Sequence, residues 1–138
     1  MIKINIKILL IIIILMMSDS CKTTKIYRSF TIGKGGGVTG KYDTYLVKEN
    51  GEVYKVSEAQ SEDLIKKIDK KQIAEIFNQF EQLRITEESF SKPGNMTSFI
   101  RYTADNKTYE IKWGSPVAVP PQKYVDFFNK VWDLIRAK

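Results

Sequence analysis

A glycine-rich segment at residues 33–41 comes closer to a known chemical motif than any other part of the sequence. It contains the G-x-G-x-x-G spacing of dinucleotide-binding loops at Gly35, Gly37 and Gly40. Such loops bind phosphate through backbone N–H groups at the start of a helix. The residues that follow, 42–47, favour a strand instead. The segment is therefore interpreted as a bulged connection between strands, or as glycines required where another backbone or a ligand comes close. No nucleotide and no other cofactor is predicted.

Side chains suited to acid–base or nucleophilic catalysis are scarce. The chain has no histidine and one cysteine, Cys21, and no serine lies in a G-x-S-x-G turn. Adjacent carboxylates occur at Glu62-Asp63 and Glu87-Glu88, in polar segments that offer no apolar pocket to raise a pKa. No D-x-D-x-D-G spacing indicates a calcium loop. The sequence predicts no catalytic and no metal-ligating residue. The alternative is a small hydrolase or inhibitor-type module that relies on carboxylates.

The first 20 residues have the organisation of a secretory signal peptide. Lys3 and Lys7 precede an apolar run, Ile8–Met17, and the small residue Ser20 comes directly before Cys21. A membrane-spanning helix needs about 20 apolar residues, more than this run supplies. Cleavage of residues 1–20 is therefore predicted. Ordinary secretion and a retained membrane helix are the alternatives.

The Ser20-Cys21 junction resembles the lipobox of bacterial lipoprotein precursors, which ends in a small residue before the acylated cysteine. The resemblance implies that the thiol of Cys21 carries a diacylglycerol and joins the protein to a membrane. Lys22 occupies the position where an aspartate would resemble an inner-membrane retention signal. The implied location is therefore the cell envelope, at the outer membrane of a two-membrane bacterium, on either face. The resemblance covers no motif in the mature domain.

The remaining sequence is predicted to form a short tether, residues 21–25, and a single α+β domain, residues 26–138. The full chain has a formal charge of +6, and the mature chain keeps most of this positive charge. A basic surface can contact anionic headgroups or an acidic partner. Nucleic acid is not a predicted partner, because no basic run is interleaved with aromatic residues.

Alternating, β-branched and aromatic segments predict two hairpins. The first joins Tyr42–Lys48 to Val53–Val56 through Asn50-Gly51, a turn in which both residues are expected to adopt positive φ. The second joins Met96–Thr103 to Lys107–Trp113.

Two helices are predicted from apolar residues at three- and four-residue steps. Asp69 is a suitable N-cap for a helix over Lys70–Leu83, and the preceding stretch, Glu62–Ile68, is interpreted as a turn or an extended approach. The last helix is predicted over Pro121–Arg136.

Together these elements predict an α+β fold. With a first strand at Ile26–Ile32, the sheet is expected to be antiparallel with about five strands, in the order ββ(β)-α-ββ-α. The two helices are expected to cover one face of it, with the other face partly solvated. Ser89–Asn95 and Gly114–Pro121 are predicted loops, because glycine and proline interrupt regular structure there.

Three loops contain the candidate binding residues. They are Gly35, Gly36 and Gly37 in the glycine-rich segment, Pro93, Gly94 and Asn95 in the second loop, and Trp113 at the start of the third. If these loops met at one edge of the sheet, they would form a recognition surface. The predicted function is a non-enzymatic, membrane-anchored envelope lipoprotein that binds an unidentified protein or other envelope partner.

Overall fold

The computed structural model describes residues 27–138, which form a seven-stranded sheet and two α-helices. The predicted signal peptide, the tether and Cys21 lie outside the described residues. In chain order the elements are β1 (Ser29–Gly36), a 3₁₀ turn (Gly37–Thr39), β2 (Lys41–Lys48), β3 (Glu52–Val56), β4 (Glu62–Lys67), α1 (Lys70–Gln82), β5 (Phe90–Lys92), β6 (Met96–Ala104), β7 (Lys107–Ser115) and α2 (Gln122–Arg136).

The strands are arranged in the order β4-β3-β2-β1-β6-β7-β5. Neighbours are antiparallel except β5 and β7, which are parallel. The prediction of about five antiparallel strands is therefore wrong, although the α+β class is correct. Both additional strands lie at the edges of the sheet, in segments interpreted as a turn or extended approach (Glu62–Ile68) and as a loop (Ser89–Asn95).

The two predicted hairpins are present, but their turns differ from expectation. Between β2 and β3, Gly51 has φ of 93° while Asn50 keeps a negative φ, and the Asn50 side chain accepts a hydrogen bond from the Glu52 N–H. Between β6 and β7, Asp105 and Asn106 both adopt positive φ, at 50° and 59°. The two-residue turn with paired positive φ, expected for the first hairpin, therefore occurs in the second.

The predicted helices form close to their expected bounds. At the start of α1, a carboxylate oxygen of Asp69 accepts hydrogen bonds from the N–H groups of Lys71 and Gln72, both at 3.0 Å, as an N-cap should. At the start of α2, Pro121 lies just before the first turn. Both helices are amphipathic, so each has one apolar side available for burial against the sheet.

The core lies between the helices and one face of the sheet. Phe30 is at its centre, 1% exposed, and its ring stacks on Phe80 at 4.7 Å between centroids and contacts Phe77 and Phe127. Other buried core residues from the strands and helices are Ile32, Val47, Ile100, Ile111, Ile76, Tyr124, Val131 and Trp132. Since side chains alternate along a strand, the intervening residues point to the opposite face of the sheet.

Candidate binding surface

Within residues 27–138, no helix covers the second face of the sheet, which we call the open face. Thr31 of β1, Thr44 and Leu46 of β2, and Phe99 and Arg101 of β6 lie on it. A cleft of about 710 Å³ runs across these residues. The middle of the cleft thus combines apolar side chains with threonine hydroxyls.

The floor of the cleft is built around Phe99. Gly33 lies directly opposite Phe99 in the β1–β6 pairing, and a Cβ atom at Gly33 would be 2.4 Å from the Phe99 ring. The ring therefore lies against the bare backbone of β1. Tyr42 contacts it at 6.1 Å between ring centroids, and the Arg101 guanidinium lies 4.8 Å from its centroid. Phe99 is consequently 5% exposed without belonging to the core beneath the helices.

One rim of the cleft carries a charged triad. Glu110 accepts from the guanidinium of Arg101 at 2.6 Å and from the ammonium of Lys112 at 2.7 Å. Burial alone would raise the pKa of Glu110, but hydrogen bonds from Lys112 and Arg101 outweigh it and lower the pKa. Glu110 therefore carries a negative charge at neutral pH, and it holds the basic side chains of Arg101 and Lys112 beside the aromatic floor.

The opposite rim is formed by the turn between β3 and β4. The Ser57 N–H donates to the Ser61 carbonyl at 3.0 Å, and the two hydroxyls are 2.7 Å apart. Glu58 and Gln60 of this turn and Glu62 of β4 line the cleft. The cleft therefore has a cationic pair on one rim and carboxylates on the other.

The structure brings the three predicted loops together at one end of the sheet, which we call the loop end (residues 36–40, 93–95 and 114–121). The Gly37 N–H donates to the Asn95 carbonyl at 2.7 Å, and a Cβ atom at Gly36 would lie 2.6 Å from that carbonyl oxygen. A Cβ atom at Gly94 would likewise lie 2.6 Å from the carbonyl carbon of Gly114. The backbone of Asn95 thus comes close to the glycine-rich segment, as one of the two interpretations of its glycines expected.

Of two further candidate residues, Gly35 lies in a strand and Pro93 lies in a loop. Gly35 is part of β1, and a Cβ atom there would be 2.1 Å from the Lys41 carbonyl oxygen, so neighbouring backbone occupies that space. Pro93 follows β5 directly.

Trp113 faces the helices, away from the cleft. Its ring meets Phe128 of α2 edge-on, 5.3 Å between centroids, and Lys92 pairs with it across the β5–β7 ladder. It borders a separate groove of about 410 Å³ together with Lys34 and Met96. Trp113 is therefore half-buried against the core and contributes nothing to the cleft.

The loop end exposes several apolar side chains. Val38 is fully exposed and Val117 and Val119 are largely so, and the adjacent Met96 of β6 is partly exposed. Gly40 and Tyr42 line the cleft where it reaches this end. The loop end and the cleft thus form a continuous surface. The sequence predicted its loops but did not predict the cleft.

The two carboxylate pairs considered for catalysis lie in different environments. Glu62 and Asp63 are neighbours on a strand, so their side chains point to opposite faces. Glu87 pairs with Arg84. A hydrogen bond from Lys123 is the main cause of the lowered pKa of Glu88. A general acid at neutral pH needs a raised pKa, whereas the pKa of Glu88 is lowered.

Metal-binding clusters and membrane-spanning helices are both absent from residues 27–138. These residues contain no group of three or more cysteine, aspartate or glutamate residues placed to hold a metal ion. In the same part of the chain, no helix is long and apolar enough to cross a bilayer.

No protein-family model matches the chain, and no curated protein matches it with significance. A functional proposal consequently depends on the residues of this chain alone.

Proposed function

We propose that the chain is a membrane-anchored envelope lipoprotein, attached through a lipid on Cys21, whose folded part binds a protein or other envelope partner without catalysing a reaction. The observation that carries the binding proposal is the cleft on the open face. Its apolar and hydroxyl-bearing middle and its charged rims have the composition of a protein interface, which has an apolar centre and a polar rim.

The direction of β1 supports this arrangement. The strand begins at Ser29, eight residues after Cys21, and extends roughly 24 Å at about 3.4 Å per residue before it reaches Gly36. The described chain therefore enters the sheet at one end, while the loop end and the adjoining part of the cleft lie at the other. That separation leaves the surface accessible to a partner beyond the membrane.

The anchor is tested by Cys21→Ser in the full chain. We expect the wild-type protein in the membrane fraction, with its mass increased by the lipid and decreased by loss of residues 1–20. The variant should lack the lipid, because serine has no thiol to acylate. Mass spectrometry of the purified proteins checks this. An unchanged mass and membrane location in the variant would contradict the lipid anchor.

The binding surface is tested by a photo-crosslinking residue at Thr44, which lines the cleft, with Asn78 on the exposed side of α1 as the matched control. We expect irradiation of whole cells to give a discrete adduct from position 44 and none from position 78. Adding Arg101→Ala should reduce the adduct about ten-fold, as expected for an arginine at the edge of an interface centre. Equal adducts at both positions, or none from the cleft, would count against binding at the open face.

A further inference from the structure

The two edges of the sheet, as described over residues 27–138, differ in how open they are to pairing with another strand. At one edge, β5 has three residues and is followed directly by Pro93, which cannot donate a backbone hydrogen bond. At the other edge, β4 has six residues and pairs with β3 on one side. Alternate backbone N–H and C=O groups of β4 therefore point outward, the arrangement that accepts an added strand.

The sequence of β4 is self-complementary when two copies run antiparallel. It reads Glu-Asp-Leu-Ile-Lys-Lys, with two acidic residues first, two basic residues last and two apolar residues between them. Leu64 is 53% exposed and Ile65 is 46% exposed. Edge strands that avoid pairing with other strands often carry charged side chains. In β4 the charged residues lie at the two ends and the middle is apolar.

The bulge in β4 preserves this complementarity on both faces. Val53 of β3 pairs with Lys66 and Tyr54 pairs with Leu64, so Ile65 is the additional residue. Glu62, Leu64 and Lys67 consequently share the open face. Suppose that a two-fold axis passes beside Leu64 and that the bulge residues Ile65 and Lys66 together occupy one position in the ladder. Glu62 of one copy then lies opposite Lys67 of the other. These two residues lie on the same face of the sheet and carry opposite charges.

We propose that β4 is a homodimer interface, in which two copies of the chain pair antiparallel through this strand and join their sheets into one. Leu64 lies opposite its symmetry mate at the axis, and two Glu62–Lys67 pairs flank it on the open face. On the helix face, Asp63 lies opposite the Ile65–Lys66 bulge. The dimer does not require the proposed cleft ligand, although Glu62 belongs to both surfaces, and it continues the open face across both copies.

Other contacts of these residues are compatible with the pairing. Within its own chain, Glu62 is 3.8 Å from the Lys48 ammonium, and Lys67 is 3.8 Å from a Glu52 carboxylate oxygen, so both retain room for a second partner. Lys66 donates to the carbonyls of Leu134 and Ala137 at the end of α2. That ammonium holds β4 to α2, which fixes the edge strand in place.

The charge pattern is tested with two single variants of the full chain, Glu62→Lys and Lys67→Glu. For each protein, two copies that carry different tags are expressed in the same cells, and one tag is used to purify. Wild-type copies should co-purify after detergent solubilisation. Copies of either variant should co-purify about ten-fold less, because two attractive pairs become repulsive. Glu62→Lys mixed with Lys67→Glu should co-purify as well as wild type, since opposite charges again meet. Failure of wild-type copies to co-purify, or of the mixture to recover, would overturn the proposal.

A second measurement does not depend on the charge variants folding normally. Leu64→Cys places a thiol beside its symmetry mate, where directly opposite Cβ atoms in an antiparallel pair are about 4.5–5.5 Å apart, close to disulfide distance. We expect mild oxidation of membranes to give a disulfide-linked dimer for Leu64→Cys and none for the parent chain or for Asn78→Cys on α1. Equal linkage at positions 64 and 78, or no linkage at position 64, would contradict pairing through β4.

Discussion

Phe30→Ala is expected to lower the free energy of unfolding by about 3–5 kcal/mol, the usual cost of removing a buried phenylalanine ring. Phe30 is 1% exposed and contacts aromatic rings from α1 and α2, so its loss leaves a cavity where both helices meet the sheet. Those neighbours belong to separate elements and cannot all collapse into the space. Urea unfolding of the full chain, followed by tryptophan fluorescence, measures the change.

Val38→Ala is the matched control for Phe30→Ala. Val38 is fully exposed in the turn between β1 and β2 and buries no surface in the described fold. Its truncation should change the free energy of unfolding by less than about 0.5 kcal/mol. Equal effects of the two substitutions would show that the assigned core does not account for the stability.

Local sequence patterns predicted the central strands and both helices, and they failed at the edges of the sheet. For β4, the apolar residues Ile65 and Ile68 continue the helical spacing of α1, so their spacing does not indicate a strand. Because the Asp69 N-cap starts the helix after them, Glu62–Ile68 is interpreted from the sequence as a turn or extended approach. In the structure Ile68 is buried, while Ile65 is the additional residue of a bulge. A bulge interrupts the two-residue alternation by which a strand is recognised.

The strand β5 could not be predicted for a different reason. It is three residues long, contains two polar residues, and is followed by Pro93. Its partner, β7, lies about 20 residues further along the chain and runs parallel to it. A parallel neighbour leaves no hairpin turn in the sequence, so a segment this short resembles a loop.

The sequence predicted only part of the candidate surface, because the rest depends on pairing between strands that are distant in the sequence. Glycine and proline mark the three loops in the sequence, but their meeting at one end depends on the β1–β6 and β5–β7 pairings. The cleft carried one usable signal, the alternation of Thr97, Phe99 and Arg101 along one face of β6. That alternation does not reveal that Gly33 lies opposite Phe99, which depends on a register between distant strands.

Gly114→Ala is expected to destabilise the protein by more than about 2 kcal/mol, because the added methyl group overlaps backbone atoms that can make room only by shifting. An ideal Cβ atom at Gly114 would lie 1.9 Å from the backbone nitrogen of Gly94 and 2.4 Å from its Cα atom. To relieve this overlap, the loop at residues 93–95 must move away from β7. The Gly94 N–H would then lose its hydrogen bond to the Thr97 hydroxyl, and the Thr97 hydroxyl its bond to the Gly94 carbonyl.

Gly40→Ala separates this steric effect from the conformational cost of replacing a glycine. Gly40 has φ of 63°, and no atom lies within 4 Å of the position that an alanine methyl group would take, so alanine there should cost about 1 kcal/mol for its backbone conformation alone. Thermal unfolding compares the two variants, and crosslinking from position 44 reports on the surface. We expect Gly114→Ala to lower both thermal stability and the crosslink, and Gly40→Ala to have the smaller effect on stability. Equal losses of stability would mean that the contact between Gly94 and Gly114 does not hold the loop end together.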